Sequence, residues 1–201
     1  MMKLYYSPGA CSLATHIALR EAGIPAEFER VDLGAQRTES GADFTALNPA
    51  GCVPLLILDD GEPVTENVAI LSLLADRAPQ LGAEGPMART RLIEMLSFLS
   101  TEVHIAFKPY FHDSSEADRA AAKVAVLKRL NIIANRMRGP YLFGDRFSTA
   151  DAYLFVMLRW AKNRDIELPL RLADLFDRVS AREAVRQAIG EEEPVAPLVA
   201  A

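Results

Sequence analysis

Cys11 is the residue in this chain whose type and position most directly suggest chemistry. It follows the turn-forming residues Ser7 to Ala10 and precedes a stretch whose apolar residues have helical spacing from Leu13 onward. The first turn of a helix presents unpaired N–H groups and favours negative charge, so a thiol there should have a pKa below the free value of about 8.5. A small, buried, unreactive cysteine is the alternative. The residues alone leave Cys11 open between these two interpretations.

Other residue types that support catalysis or ligand binding are few. Cys52 stands directly before Val53 and is given no role, while His16 is interpreted as structural. The three histidines, His16, His104 and His112, and the two cysteines lack the spacing of zinc ligands, so no metal site is predicted. Two cysteines make no disulfide framework, which is typical of a reducing compartment, and we expect a cytoplasmic protein.

The composition is that of an ordinary globular protein, with 201 residues, a net charge of −5 and half of its residues hydrophobic. Acidic and basic residues are interspersed, and no basic stretch offers phosphate contacts, so nucleic acid is not expected as a partner. No apolar run approaches the roughly 18 residues that a membrane-spanning helix needs. The first residues also lack the apolar segment of a secretory signal, so neither membrane insertion nor secretion is expected.

The elements that must position Cys11 alternate between strands and helices. A strand, a helix stopped by Gly23 and a second strand form a βαβ unit whose strands should be parallel. A polar loop over residues 34–41 follows, and then an apolar strand, a hairpin turn, a further strand and a helix. The predicted strands are Lys3 to Tyr6, Ala26 to Leu33, Val53 to Leu58 and Pro63 to Thr65, and the predicted helices are Ser12 to Ala22, Asp43 to Leu47 and Asn67 to Arg77.

After residue 78 the pattern changes to helices alone. Two prolines and two glycines in a short stretch predict a linker over residues 79–86, between a domain of residues 1–78 and one of residues 87–201. Apolar stripes predict helices over 92–103 and 126–137, and the stretch from Thr149 to Trp160 is apolar nearly all round, as in the centre of a bundle. Ser148 and Asp151 form a capping box that begins this helix. Residues 184–189 are predicted as a last short helix, and residues 191–201 as a frayed end.

In this order, the strings KLYYSPGACSLATHIALREAG, NPAGCVPLLILDDG, TENVAILSLLADRAP, TEVHIAFKP and GDRFSTADAYLFVMLRW cover most of the chain. Together they resemble the glutathione S-transferases, and most closely the bacterial beta class, whose members act in detoxification. The resemblance implies an α+β fold class, with a thioredoxin-like N-terminal domain (βαβ-ββα) followed by an all-α helical bundle. It also implies a homodimer that takes glutathione as co-substrate and needs no metal.

The resemblance further implies a glutathione site. Val53-Pro54 resembles the family's cis-proline step, which presents backbone groups to an extended peptide such as glutathione, although a trans proline at a strand start is the alternative. Glu66 is expected to pair with the α-ammonium group of glutathione, and the helix start at Asn67 with its α-carboxylate. Simple helix capping by Thr65 or Asn67 is the alternative there.

Further site residues follow from the same motifs. His104 corresponds to a histidine near the thiol in beta-class enzymes and is expected to orient or polarise the site, with Glu102 nearby. A helical histidine at a surface or interface is the alternative. Tyr6 and Ser12 are secondary candidates, because other classes activate glutathione through Tyr or Ser. A core position for Tyr6 and a helix cap at Ser12 are their alternatives.

Three departures from the family pattern concern the binding of glutathione. Asn67 replaces a frequent Ser, Ile105 follows His104 where a basic residue is common, and Ser97 stands where Asn is frequent. Asn67 keeps hydrogen-bonding groups, so its role can persist. The partner of the glycyl carboxylate of glutathione is left open.

The implied activity is the conjugation of the glutathione thiol to hydrophobic electrophiles held by apolar side chains that include Phe107 and Tyr110. A monothiol exchange between Cys11 and glutathione is a second activity to consider, because no second cysteine forms a CxxC motif. The alternatives are a non-catalytic binding protein of the same fold and a glutathione-dependent dehalogenase or isomerase.

Overall fold

The computed structural model describes residues 1–193. Most of the predicted frayed end, residues 191–201, therefore lies outside the described residues. Where the two overlap, the prediction is wrong, because the last helix continues to Glu192, whose side chain is buried. His16 and the backbone N–H of Gly9 both contact this carboxylate, which explains why the helix persists.

The N-terminal half is a five-stranded mixed sheet with the strand order β3-β2-β1-β4-β5. Strand β1 is parallel to β2 and antiparallel to β4, so the predicted βαβ-ββα arrangement and the parallel pairing are confirmed. The strands are β1 (Met2–Tyr6), β2 (Ala26–Asp32), β3 (Arg37–Thr38), β4 (Leu55–Ile57) and β5 (Pro63–Thr65), and the helices are α1 (Leu13–Ala22), α2 (Phe44–Leu47) and α3 (Asn67–Arg77).

Local chemistry explains these boundaries. Helix α1 ends because Gly23 adopts a left-handed conformation with a φ of 64°, which glycine takes without strain. The sequence predicts a polar loop over residues 34–41, but part of this segment forms strand β3. It is an edge strand of two residues, Arg37 and Thr38, whose pairing with β2 comes from backbone hydrogen bonds rather than from an apolar pattern.

The C-terminal half is helical. A short 3₁₀ turn over Pro79–Leu81 connects the two halves, and a π-helical turn over Leu99–His104 directly continues the first long helix. The α-helices are α4 (Ala88–Phe98), α5 (Lys108–Phe111), α6 (Glu116–Arg136), α7 (Thr149–Lys162), α8 (Leu170–Ser180) and α9 (Glu183–Glu192). None of the helices within residues 1–193 has both the length and the apolar character that a membrane crossing requires.

Helix α7 lies at the centre of the molecule and packs against α1 of the other half. The predicted capping box is present, since the Ser148 side chain accepts the Asp151 N–H and the Asp151 carboxylate accepts the Ser148 N–H. Asp151 is fully buried and also accepts the Leu142 N–H. One continuous apolar core runs from the sheet through α1 and α7 to α8. The two halves are therefore packed together rather than tethered.

Candidate active site

A cavity of about 710 Å³ lies where the sheet half meets the helical half. Its walls come from the turn before α1, the segment that leads into β4, the start of α3, the π-helical turn with the segment after it, and α7. The lining residues are Pro8, Gly9, Ala10, Cys11, Leu33, Asn48, Ala50, Gly51, Cys52, Val53, Pro54, Thr65, Glu66, Asn67, Ser100, His104, Ile105, Phe111, His112, Tyr153 and Trp160.

Cys11 is partly buried on the sheet side of this cavity. Its thiol donates a hydrogen bond to the Val53 carbonyl, with the sulfur 3.4 Å from the oxygen. The Asn67 side chain donates to the Cys11 carbonyl at 3.0 Å and accepts from the Thr15 hydroxyl at 3.1 Å. These bonds fix the start of α1 against the start of α3, and the peptide bond between Val53 and Pro54 is cis, as predicted.

The prediction that the helix start lowers the pKa of Cys11 is wrong. Burial of the thiol raises its pKa to about 12, and the charges of Cys52 and Glu66 act in the same direction. The backbone N–H groups of Cys11 and Ser12 do face the sulfur and lower its pKa, as a helix start should, but burial outweighs them. Cys11 is therefore a thiol at neutral pH, and it acts as a hydrogen-bond donor.

His104 lines the cavity from the helical half, at the end of the π-helical turn. Its Nδ1 atom is 2.9 Å from the hydroxyl oxygen of Tyr153, and its ring meets the indole ring of Trp160 edge-on at a centroid distance of 4.9 Å. Burial lowers the pKa of His104, so the ring is neutral near pH 7. Tyr153 is thus the residue whose hydrogen bond orients the His104 ring.

Tyr153 and Trp160 line the cavity but were not singled out in the sequence. Burial raises the pKa of the Tyr153 hydroxyl, and the negative charge that Cys11 would carry raises it further, whereas the hydrogen-bonding groups of Ser100 and Asn67 lower it. Tyr153 therefore keeps its proton and can donate it in a hydrogen bond. The two aromatic residues are seven positions apart on α7, which places them on the same face of the helix.

Glu66 lines the cavity at the position preceding α3. It is exposed, and its backbone has a φ of 69°, which is unusual for a residue other than glycine and is typical of functional sites. Neither Thr65 nor Asn67 caps the helix; Glu66 itself occupies the N-cap position and makes no side-chain cap hydrogen bond. Glu66 thus lines the cavity as an exposed residue whose carboxylate is not used in a helix cap.

Three sequence-predicted residues do not line the cavity. Ser12 is buried at the N-cap position of α1, where its hydroxyl exchanges hydrogen bonds with the backbone of Ser7. Tyr6 donates its hydroxyl to the Glu191 carbonyl at 3.4 Å. Glu102 is exposed and forms an ion pair with Arg129 at 3.0 Å.

The apolar wall of the cavity also differs from expectation. Phe107 is fully buried behind Trp160, and Tyr110 donates its hydroxyl to the backbone of Arg119, so neither residue lines the cavity. Exposed apolar side chains take their place. They are Ile105, directly after the π-helical turn, and Phe111, at the end of α5.

Two residues from the helical half hold the turn that precedes Cys11. The indole N–H of Trp160 donates to the Gly9 carbonyl at 2.9 Å, and the Glu192 carboxylate accepts the Gly9 N–H at 3.0 Å. His16 is fully buried below this turn, with Nδ1 3.1 Å from Glu192 and Nε2 2.7 Å from Glu191. These contacts connect α9 with α1, and His16 lies outside the cavity.

Cys52 lies on the same side of the cavity as Cys11 and is exposed. Its thiol donates to the Ala50 carbonyl at 3.3 Å, within its own loop, and its carbonyl accepts the Asn48 side-chain amide at 2.7 Å. Within residues 1–193 no three His, Cys, Asp or Glu side chains form a group able to hold a metal ion.

Comparisons with known protein families match most of the chain. The family model for the glutathione S-transferase N-terminal domain matches residues 9–77. The model for the glutathione S-transferase C-terminal domain matches residues 98–183. The two matched segments correspond to the sheet half and to the greater part of the helical half.

Individual relatives agree with these models. The chain is 40% identical to glutathione S-transferase GstA of Escherichia coli O157:H7, over 95% of this chain and 98% of the relative. A sphingomonad glutathione S-transferase solved in complex with glutathione is 43% identical, with a TM-score of 0.88 over 94% of this chain and 98% of that one. A bacterial beta-class glutathione S-transferase of Sphingomonas chungbukensis is 42% identical, with a TM-score of 0.85 over the same shares.

Proposed function

The chain belongs to the glutathione S-transferase family, and we propose that it conjugates the thiol of glutathione to hydrophobic electrophiles inside the cavity beside Cys11. One observation carries the proposal. Six of the residues that the sequence associates with glutathione line a single cavity, although they come from four separate parts of the chain: Cys11, Val53, Pro54, Glu66, Asn67 and His104.

The charges around the start of α3 support a place for the γ-glutamyl end of glutathione. The exposed Glu66 carboxylate suits the α-ammonium group, while the N–H groups at the start of α3 suit the α-carboxylate. The side chain of Asn67 is already committed to Cys11 and Thr15, so it contributes by fixing the site rather than by contacting glutathione. The backbone of Val53 is the partner that we propose for the cysteinyl part.

The sulfur of glutathione, and not that of Cys11, is the proposed nucleophile. Cys11 stays protonated, and its S–H, which donates to the Val53 carbonyl, would turn to donate a hydrogen bond to the thiolate of bound glutathione. Tyr153 stays protonated as well and stands beside neutral His104. Hydrogen-bond donors beside a developing negative charge favour the charged form, so both groups would lower the pKa of bound glutathione.

The apolar part of the cavity supports a hydrophobic second substrate. Ile105, Phe111 and Trp160 contribute apolar surface on the side away from the sheet. Because the exposed Ile105 and Phe111 side chains would be covered by an apolar ligand, binding such a ligand removes apolar area from water.

Further features follow as part of the same proposal. We propose a homodimer of the beta class that works in the cytoplasm in detoxification, with domains at residues 1–78 and 87–201 joined by a linker at 79–86. Glutathione exchange at Cys11 is proposed as a minor activity, because a thiol with a raised pKa supplies little thiolate.

A direct test is conjugation of glutathione to an activated aryl halide, measured by absorbance, together with glutathione binding by calorimetry. We expect saturable turnover by the wild type and a higher KM for glutathione in Glu66→Gln. Binding without turnover on aryl halides, epoxides and unsaturated carbonyls would overturn conjugation and favour a carrier. Turnover restricted to halide release or to double-bond isomerisation would favour the dehalogenase or isomerase alternative.

A further inference from the structure

The side chain of Gln36, in the loop between β2 and β3, joins two parts of the cavity wall. Its Nε2 group donates to the Leu33 carbonyl at 2.8 Å and to the Gly51 carbonyl at 3.2 Å. Leu33 and Gly51 both line the cavity, whereas Gln36 itself is not a lining residue. The Gln36 amide therefore lies behind the wall and connects the segment after β2 with the segment that leads into β4.

Two unfavourable features of Gln36 indicate that its position is enforced by the surrounding structure. Its backbone has a φ of 53°, in the left-handed region, and its Oε1 atom is buried without a hydrogen-bond partner among residues 1–193. Turning the amide over would not help, because the oxygen would then face the two carbonyl oxygens that Nε2 now contacts. Features of this kind are concentrated at functional sites.

The segment before Val53 is held at two successive carbonyl groups. Gln36 donates to the Gly51 carbonyl, and the side-chain amide of the buried Asn48 donates to the Cys52 carbonyl at 2.7 Å. The next residue is Val53, whose backbone is the proposed partner of the cysteinyl part of glutathione. The two amides therefore determine where the Val53 backbone groups lie at the cavity.

Gly51 is matched to the Gln36 amide. A Cβ atom at Gly51 would lie 2.9 Å from the Gln36 Oε1 atom, and Gly51 also has a φ of 63°. The Gln36 backbone is fixed in turn, because its carbonyl accepts the Phe44 N–H at the start of α2 at 2.9 Å. The amide therefore has little freedom to withdraw, and the absence of a side chain at Gly51 makes room for it.

We propose that Gln36 is a positioning residue for glutathione, which acts by holding the Gly51 carbonyl and thereby the backbone of Val53. The inference rests on the glutathione site proposed above and deepens it, since it assigns a role to a residue that does not touch the substrate. The Val53 backbone contacts glutathione before and during the reaction alike. Gln36 should therefore affect the binding of glutathione rather than the chemical step.

The first experiment measures steady-state kinetics of Gln36→Ala and Gln36→Glu with glutathione as the varied substrate. Gln36→Ala should raise KM for glutathione about tenfold and leave kcat within about twofold of the wild type. Gln36→Glu keeps the size of the side chain but replaces the donor by an oxygen, so it should raise KM at least as much. Gln80→Ala, at an exposed glutamine of the 3₁₀ turn, is the matched control and should change neither constant.

The second experiment tests the contact between Gln36 and Gly51 by a double-mutant cycle. Gly51→Ala should raise KM in the wild-type background through the collision with the Gln36 amide. In the Gln36→Ala background the collision is absent, so the same change should raise KM at least about threefold less. Gly23→Ala is the control for backbone strain, because Gly23 has a φ of 64° but open space around it, outside the cavity.

Three results would overturn the role of Gln36. They are an unchanged KM in both Gln36 variants, a fall in kcat at constant KM, and equal effects of Gly51→Ala in the two backgrounds. Calorimetry of the wild type with glutathione separates this failure from a failure of the proposed function. Wild-type binding with an unchanged KM in the variants would reject the positioning role alone, whereas absence of wild-type binding would reject the glutathione site and this inference with it.

Discussion

The imidazole Nδ1 of His104 lies 2.9 Å from the hydroxyl oxygen of Tyr153, which joins the end of the π-helical turn to the middle of α7. Because burial keeps His104 neutral, one of its two ring nitrogens carries a proton and the other is an acceptor. With that proton on Nδ1, His104 donates to the Tyr153 oxygen and leaves the Tyr153 O–H free to donate into the cavity. The Tyr153 O–H is then the donor that we propose for the sulfur of bound glutathione.

Replacing Tyr153 with Phe tests this arrangement. We expect kcat/KM for conjugation to fall about 10- to 100-fold, since a hydrogen bond to a charged group contributes about 1.5–3 kcal/mol. The pKa of bound glutathione should rise at the same time, as measured by thiolate absorbance across a pH series. Tyr110→Phe is the matched control, because the Tyr110 hydroxyl donates to Arg119 outside the cavity. If the pKa of the bound glutathione thiol is unchanged in Tyr153→Phe, Tyr153 contributes only packing.

Replacing Glu66 with Gln tests the ammonium site. Loss of the charge should raise KM for glutathione about tenfold, which corresponds to about 1.4 kcal/mol, and should leave kcat nearly unchanged. Steady-state kinetics with glutathione as the varied substrate measures both constants. Glu62→Gln removes a carboxylate from the exposed β4–β5 turn and should change neither. A fall in kcat without a change in KM would contradict a binding role.

The buried His104 predicts how stability depends on pH. The pKa of this residue is lowered in the folded protein, so below about pH 6.5 the unfolded chain binds a proton that the folded chain does not. The free energy of unfolding of the wild type should therefore fall as the pH drops below 6.5, by at most about 1.4 kcal/mol per pH unit from this residue. Urea unfolding of wild type and His104→Gln at pH 7.5, 6.5 and 5.5 measures the difference, which should shrink toward pH 5.5. A constant difference would show that the pKa of His104 is the same in the folded and unfolded chains, against the lowering by burial.

Glu29 predicts that stability also depends on pH in a more acidic range. Burial alone would raise its pKa, but hydrogen bonds from Lys3, Ser40 and Thr38 outweigh burial and lower the pKa to about 2. The stability that Glu29 contributes is thus present above its unfolded pKa of about 4.3 and is lost as the pH falls toward 2. Glu29→Gln should cost about 1–3 kcal/mol at pH 7, and the cost should shrink between pH 5 and pH 3.

Thermal and urea unfolding at pH 7, 5, 4 and 3 measure this effect. Glu27→Gln is the control, because Glu27 is exposed on the same strand. A cost for Glu29→Gln that stays constant from pH 7 to pH 4 and below would mean that the carboxylate is not held ionised by these partners.

Much of this fold can be predicted because residues close together in the sequence determine where its helices and turns begin and end. Gly23 ends α1, the hairpin residues 59–62 join β4 to β5, and the capping box at Ser148 and Asp151 begins α7, each through contacts within a few positions. Helix α8 was not predicted, although Leu172, Leu175 and Val179 are buried at helical spacing. Its three apolar positions are separated by charged residues, and this short stripe was not recognised as a helix.

The site was harder to predict than the fold, because its geometry depends on residues far apart in the chain. The Cys11 pKa was expected from its own helix alone, whereas burial beneath the helical half decides it. Tyr153 and Trp160 lie in a helix that is buried nearly all round, so no periodicity distinguishes the face that reaches the cavity. Cys52 is far from Cys11 in the sequence, yet both line the cavity and Cys52 helps to raise the pKa of Cys11.

The contact between Glu192 and Gly9 has a consequence for the order in which the protein matures during synthesis. The two residues are 183 positions apart, and the ribosome delivers Glu192 long after the sheet has emerged. Until α9 has been made, the turn before Cys11 lacks this carboxylate partner, and His16 lacks both of its acidic neighbours. We therefore expect a nascent chain to acquire binding at the proposed glutathione site only once α9 has been made, later than the domain that contains Cys11.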